Sequence, residues 1–246
     1  MSPRSSCRSI TVEKSNLISI ITPLLNEEEY VKPFLDHISS LDGSFELILV
    51  DGGSTDATLR ELRRNTSRFD PKIRLVSSER GRAIQMNRGA KEARGDILFF
   101  LHADCMTPKD AIILIEKEIS SGRTIGGGFR QAFSDQNPFL RTISIFGNLR
   151  AGLSKTFFGD YGIFLKRDIF QKIGGYGRVA FLEDVELCRK AKRCGKLDRI
   201  DSCIYTSSRR FGTEGKIKLT FVFALACLLS LVRLRPAFLK RYFDKM

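Results

Sequence analysis

The chain has 246 residues, of which 42% are hydrophobic and 28% charged. That balance excludes a disordered or fibrous protein, and the length allows a core that needs no staples. Lysine and arginine exceed aspartate and glutamate by 13, which points to an anionic partner. More than half of that excess, +7, falls in residues 205–246. Six cysteines at 7, 105, 188, 194, 203 and 227 form no Cys-x-x-Cys pair, so neither a zinc cluster nor a disulfide framework is expected. The first sixteen residues lack an apolar segment of the kind a secretory signal needs. The expected location is therefore cytoplasmic, peripheral to the inner face of the cell membrane.

In chain order, residues 17–22 form a β-branched run that ends at Pro23 and predicts a buried strand. Glu27 to Leu41 places Val31, Phe34, Leu35, Ile38 and Leu41 on one helical face. Phe45 to Val50 predicts a second strand, ending at Asp51. Gly52-Gly53-Ser54-Thr55 turns the chain, and Ser54 or Thr55 is expected to cap a helix reaching about Asn65. A strand over 73–76, a helix over 82–93, a strand over 97–101 and a helix over 110–119 follow. This alternation predicts an α/β fold, a mostly parallel sheet with helices on both faces. Ligands of such sheets bind beyond the carboxyl ends of the strands, where Asn26-Glu27, Asp51 and Asp104 stand.

After residue 124 the rhythm changes. Gly126 to Phe129 is extended, Phe139 to Leu153 helical, and Gly159-Asp160-Tyr161-Gly162 leads into an apolar strand. A helix from Glu183 to Cys194 precedes a strand around Ile204. One domain is expected over residues 1–212, with a tail over 213–246. Leu219 to Val232 carries no charge and is bracketed by cations. As a helix it reaches ~21 Å, short of the roughly 30 Å hydrocarbon core, so it suits an anionic membrane surface better than a span. Its other use would be packing against the domain or a second copy in a homodimer.

The turn after the first strand, Thr22-Pro23-Leu24-Leu25-Asn26-Glu27, has neither the glycines of a dinucleotide site nor a Gly-Lys-Ser/Thr element. A carboxylate at a strand tip, Asp51, can accept hydrogen bonds from a base or ribose, and the following glycines let backbone approach. His102-Ala103-Asp104 puts two metal-ligating side chains on one side of an extended segment. A divalent ion there would hold a diphosphate. Glu183-Asp184 opens an amphipathic helix, where the dipole keeps a carboxylate ready to accept a proton.

Thr22-Pro23 with Asn26-Glu27, Asp51 to Asp56, His102-Ala103-Asp104 and Glu183-Asp184 together resemble, in order and spacing, a family 2 glycosyltransferase of GT-A fold. Gly81 to Ala90, Leu101 to Asp104 and Ser208-Arg209-Arg210-Phe211 resemble its radical-SAM/selenodomain-associated (arsenosugar-biosynthesis) subgroup. The resemblance implies an inverting transfer of a sugar from a nucleotide-diphosphate donor to a hydroxyl acceptor, small or lipid-linked. It puts Pro23, Asn26, Glu27, Asp51, Gly52 and Ser54 around the nucleotide, with Arg82, Gln85 and Asn87 facing it. Asp104, with His102 where the family commonly has Asp, would bind Mn²⁺ or Mg²⁺. Asp184 would be the base beside Glu183, Asp160 and Tyr161 would line the acceptor side, and Arg209 and Arg210 would reach the leaving diphosphate. A nucleotidyltransferase or a non-catalytic membrane-surface module are the alternatives. No nucleic-acid motif accompanies the charge.

Overall fold

The computed structural model describes residues 16–66, 73–135, 137–177, 179, 182–209, 220, 222 and 225. Arg210 and nearly all of the 213–246 tail, with its expected domain boundary, lie outside the described residues.

β1 (Ile18–Leu24), β2 (Phe45–Asp51), β3 (Ile73–Ser77) and β4 (Ile97–Phe100) alternate with α1 (Glu28–Ser39), α2 (Thr58–Thr66) and α3 (Arg82–Glu92). Next come β5 (Cys105–Met106), α4 (Ala111–Ser120), β6 (Gly126–Phe133), α5 (Pro138–Ser154) and a 3-10 turn at Gly159–Tyr161. β7 (Ile163–Lys166), α6 (Arg167–Lys172), α7 (Glu183–Ala191) and β8 (Leu197–Thr206) close the described fold. The single sheet has the order β3-β2-β1-β4-β7-β6-β8-β5. Its first half is parallel, and the second adds antiparallel β7 and β5 around a parallel β6–β8 pair.

Strand alternation decides which core each side chain joins. Ile18, Ile20, Leu47, Leu49, Ile97 and Phe99 meet α1, α2 and α4 on one face. Ile21, Ile48, Val50, Leu98 and Phe100 meet α3, α5, α6 and α7 on the other. Helices thus cover both faces, as the strand–helix rhythm predicts.

Three local expectations are corrected. Neither Ser54 nor Thr55 caps α2, which starts at Thr58. Asp56 Oδ1 accepts from Thr58 N–H (2.9 Å) and Glu28 Oε2 from Ala57 N–H (2.7 Å), so the first-turn donors find carboxylates from the turn and from α1. β5 and α6 carry no periodic signal in so few residues. β8 runs ten residues, longer than the stretch around Ile204, because β6 and then β5 offer it ladder partners.

At the opposite end of the sheet from the strand tips, Glu46 fastens β2 to its neighbours. Its Oε1 accepts from Ser19 Oγ (2.6 Å), Arg94 N–H (2.6 Å) and Gly95 N–H (3.2 Å), and Oε2 pairs with Arg74. Burial alone would raise its pKa, but these donors outweigh it and hold the carboxyl below its ordinary 4.5. A depressed folded pKa gives stability that is present above the unfolded value and lost as pH falls. Glu46→Ala should lower the unfolding free energy in urea by about 3 kcal/mol. In the wild type the Glu46 contribution should fade below about pH 4.5, a fall that Glu46→Ala lacks when urea melts are compared across pH.

Candidate active site

The carboxyl ends of β1, β2 and β4 bring the predicted polar residues to one edge, and two loops there are stitched together. Asn26 takes a left-handed backbone (φ 54°), a conformation Asn tolerates better than most residues. Its N–H donates to Ser54 Oγ (3.0 Å), and its Oδ1 accepts from Thr55 N–H (2.8 Å). Glu27 N–H donates to Thr58 Oγ1 (2.8 Å). Asp51 turns onto its own loop, accepting from Gly53 N–H (3.0 Å) and Ser54 N–H (3.2 Å). Pro23 stays in the β1 ladder opposite Val50 and is half-buried. These residues form the wall of a cleft at the strand tips.

Four predicted residues serve the scaffold instead. Gln85 is 3% exposed, and its Nε2 donates to Leu24 O (2.7 Å) and Val50 O (2.9 Å), clamping the ends of β1 and β2. A Cβ on Gly52 would stand 2.8 Å from that amide, so Gly52 gives Gln85 its room. Asn87 exchanges two hydrogen bonds with the Tyr176 backbone, at 2.8 and 2.9 Å. Tyr161 is buried with its ring against Phe157 and Phe158. The buried Gln85 amide and Tyr161 ring face backbone and core, and the half-buried Asn87 amide is taken up by the Tyr176 backbone.

The centre of the cleft is a charge cluster. α7 grips the segment before β7 at two points one helical turn apart. Asp184 Oδ2 accepts from Gly159 N–H (2.9 Å), and Cys188 Sγ accepts from Phe157 N–H (3.4 Å). The i, i+4 pair lies on one face of the helix and meets Phe157 and Gly159 of the segment that leads into the 3-10 turn. Asp184 is 5% exposed, and its Oδ1 is buried without a hydrogen-bond partner among the described residues. Burial, then the neighbouring Glu183 charge, push the Asp184 pKa up to about 8 against the opposing pull of Arg82 and Gly159 N–H. Arg82 Nη1 pairs with Glu183 Oε1 (3.3 Å). Partial desolvation works against the Arg82 charge, though its side chain is 40% exposed, and Glu183, Asp184 and Asp104 together raise its pKa, which places all three acids within its field.

His102 approaches the same point. A methyl on Gly159 would stand 2.4 Å from His102 Nε2 and 3.3 Å from Asp184 Oδ2, so this glycine lets imidazole and carboxylate converge. Asp104 lies on the other side, its Oδ2 4.0 Å from Arg209 Nη2. Arg209 is fixed by Glu27 Oε1 (2.7 Å) and by the face of Tyr30 (4.3 Å), while Tyr30 Oη meets Ser207 Oγ (3.1 Å). Tyr30, Ser207, Gly159 and Tyr176 are thus site residues that the sequence reading missed. Tyr176 Oη is buried near Asp184, and burial followed by that charge raises its pKa well above 10. Only Gly174-Gly175 ahead of it hinted at a turn, and nothing in the spacing placed the ring.

Among the described residues no group of three or more His, Cys, Asp or Glu side chains is arranged as a metal cage. Asp104, partly exposed beside the cluster, suits instead a hard cation that takes most of its ligands from water and a diphosphate. His102 Nε2 is turned to Gly159 and the Asp184 side.

Residues 19–178, from β1 to beyond α6, match the sequence model of Glycosyl transferase family 2. The chain belongs to glycosyl transferase family 2. A dolichol-phosphate mannosyltransferase of Pyrococcus furiosus is 29% identical over 55% of this chain and 40% of its own length. A dodecaprenyl-phosphate galacturonate synthase of Rhizobium johnstonii is 32% identical over 61% and 46%. The chain therefore spans less than half the length of these curated relatives. Among solved structures, the mannosyltransferase PcManGT of Pyrobaculum calidifontis, in complex with GDP-Man and Mn²⁺, superposes with TM-score 0.61 at 23% identity, covering 76% of this chain and 56% of that one. S. aureus TarS 1–349 with UDP-GlcNAc gives TM-score 0.62 at 16% identity, covering 78% and 58%. These likenesses establish the family's GT-A fold.

Because the folded pKa of Asp184 is raised, its contribution favours folding at low pH and is lost as pH rises through about 8. Thermal melts should therefore show the wild type losing stability relative to Asp184→Asn as pH rises from about 4 to about 8 and levelling off above that, with equal slopes across this range counting against a buried, raised carboxyl.

Proposed function

We propose that this family 2 chain moves a sugar from a nucleoside-diphosphate donor to an acceptor hydroxyl, with inversion at the anomeric carbon. The observation that carries this reading is the buried Asp184 carboxyl group, one oxygen held by Gly159 and the other without a partner among the described residues, beside Arg82 at the strand tips. A carboxylate with a raised pKa is a competent proton acceptor near neutral pH.

In this reading Asp184 takes the acceptor hydroxyl proton as that oxygen bonds to the anomeric carbon. The bond from that carbon to the diphosphate breaks on the opposite face, and the electron pair leaves with the nucleoside diphosphate. Arg82 and Arg209, each already set among carboxylates, stabilise the added negative charge. A divalent cation held by Asp104 would supply further charge neutralisation at the diphosphate. Glu183 keeps Arg82 in place, and Asp160, whose charge Asp184 feels, borders the acceptor side. Asp51, Pro23 and the stitched Asn26–Ser54 loops wall the nucleotide.

The relatives, a dolichol-phosphate mannosyltransferase and a dodecaprenyl-phosphate galacturonate synthase, support a lipid-linked acceptor. The same reading takes residues 1–212 as the transferase domain and the basic, apolar 213–246 segment as an attachment to the inner face of the membrane. No helix among the described residues is long and apolar enough to cross a membrane. Within the family, Gly81–Ala90, Leu101–Asp104 and Ser208–Phe211 support the radical-SAM/selenodomain-associated subgroup.

Two measurements test the reading. Calorimetry with GDP- and UDP-sugars should show tighter binding when Mn²⁺ is added, and Asp104→Ala should remove that gain. Equal affinity with EDTA and in the variant would end the metal role. Asp184→Asn should leave donor affinity within about twofold while turnover falls by about 10²–10⁴. Undiminished turnover would mean that another group is the base.

A further inference from the structure

α5 is built inside out. Its buried side is small and polar apart from Leu140: Ser144 Oγ donates to Gln131 Oε1 (3.0 Å), Asn148 bonds the Gln131 backbone both ways (2.8 and 2.9 Å), and Ala151 packs beside them. Its outer side carries the large apolar residues Phe139, Ile145, Phe146, Leu149 and Leu153, all exposed. Phe146 is 66% and Leu153 79% exposed. At 100° per residue these five fall in an arc of about 120°, opposite the buried arc, along ~21 Å of helix. A helix facing water is expected to show the reverse pattern, so the stripe is made for an apolar environment.

The charges around the stripe say which environment. Pro138–Ser154 contains no acid, and Arg141 and Arg150 stand at the two borders of the arc. More cations crowd its carboxyl end. Lys155 follows it directly, Lys192 Nζ donates to Ser154 O (2.9 Å), and Arg199 Nη1 donates to Asn148 O (2.7 Å). The acids set against them are Asp198, paired with Lys155 (2.7 Å), and Asp201, within 4.0 Å of Arg199. A partner for this face must be apolar within and anionic at its rim.

We propose that the outer face of α5 docks on a bilayer of anionic lipids, with the stripe entering the acyl boundary and the flanking cations meeting headgroup phosphates. Five residues after α5, Gly159 N–H holds Asp184, so docking would bring the acceptor side of the cleft to the lipid surface. That last consequence rests on the transferase reading; the docking itself does not.

The chain contains no tryptophan, so Phe146→Trp creates a single fluorescent reporter on the stripe. Full-length protein carrying it should shift its emission to the blue on vesicles of phosphatidylglycerol and phosphatidylcholine. Acyl-brominated lipid should quench about half of that emission or more, given an interfacial depth of about 5–10 Å. Leu75→Trp, on exposed β3 at the far edge of the sheet, should do neither. Phe146→Asp with Leu149→Asp, at exposed positions that spare the core, should weaken vesicle binding about tenfold or more with an unchanged melting curve. An unquenched Phe146→Trp reporter on vesicle-bound protein would overturn the proposal. So would a blue shift without vesicles that grows with protein concentration, since a second copy would then cover the stripe. Donor calorimetry on the same variants separates the two ideas: loss of donor binding with intact quenching defeats only the transferase reading.

Discussion

Asp184 sits almost wholly out of water with one oxygen unpaired among the described residues, and ionising a carboxyl group so buried is costly for a fold. Much of the second half of the chain bears on that cost. Gly159 donates its N–H to one oxygen, and Arg82 supplies opposing charge. Gly159 cannot carry a side chain, because His102 Nε2 occupies the space a methyl would need. Cys188, one turn along α7, holds Phe157 and so fixes the angle at which Gly159 arrives. Such a concentration of buried charge at one point is what a proton-accepting site requires and a merely stable protein avoids.

The first half of the sheet does a different task. Its parallel strands end together, and the Gln85 amide binds the last carbonyls of β1 and β2, so the loops beyond them start from a rigid edge. Those loops then satisfy each other through Asn26, Ser54, Thr55, Asp56 and Glu28. A wall assembled before ligand arrives loses less entropy on binding than one that must order itself. Arg209 closes the arrangement by joining the exit of β8 to Glu27, just ahead of α1, and approaching Asp104. The two halves of the chain meet across this guanidinium.

The apolar stripe of α5 lies in the second half, where the helix packs on β6 and β8 and runs on into the turn that holds Asp184. Its inner face needs hydrogen bonds because the glycine-rich β6 beside it offers little apolar bulk, with Gly126, Gly127 and Gly128 closely opposed by Phe164, Asp198 and Phe157. Small polar residues fill that side, which leaves the large ones to the outside.

The sequence by itself determined the alternation of strands and helices, the two core faces and the gathering of Asn26, Glu27, Asp51 and Asp104 at one edge. Those features follow from periods of 2 and 3.6 residues and from strand direction, which are local properties. It also placed Glu183 and Asp184 at a helix start, the position α7 gives them. Tertiary structure decided which polar residues reach the cleft. Gln85, Asn87 and Tyr161 turned inward because backbone carbonyls, a neighbouring loop and aromatic rings from distant segments waited there. Tyr30, Ser207, Gly159 and Tyr176 entered the site through partners up to 182 residues from one another along the chain, as Arg209 and Glu27 are. Spacing tells which side of an element a residue is on; only packing tells what that side will face.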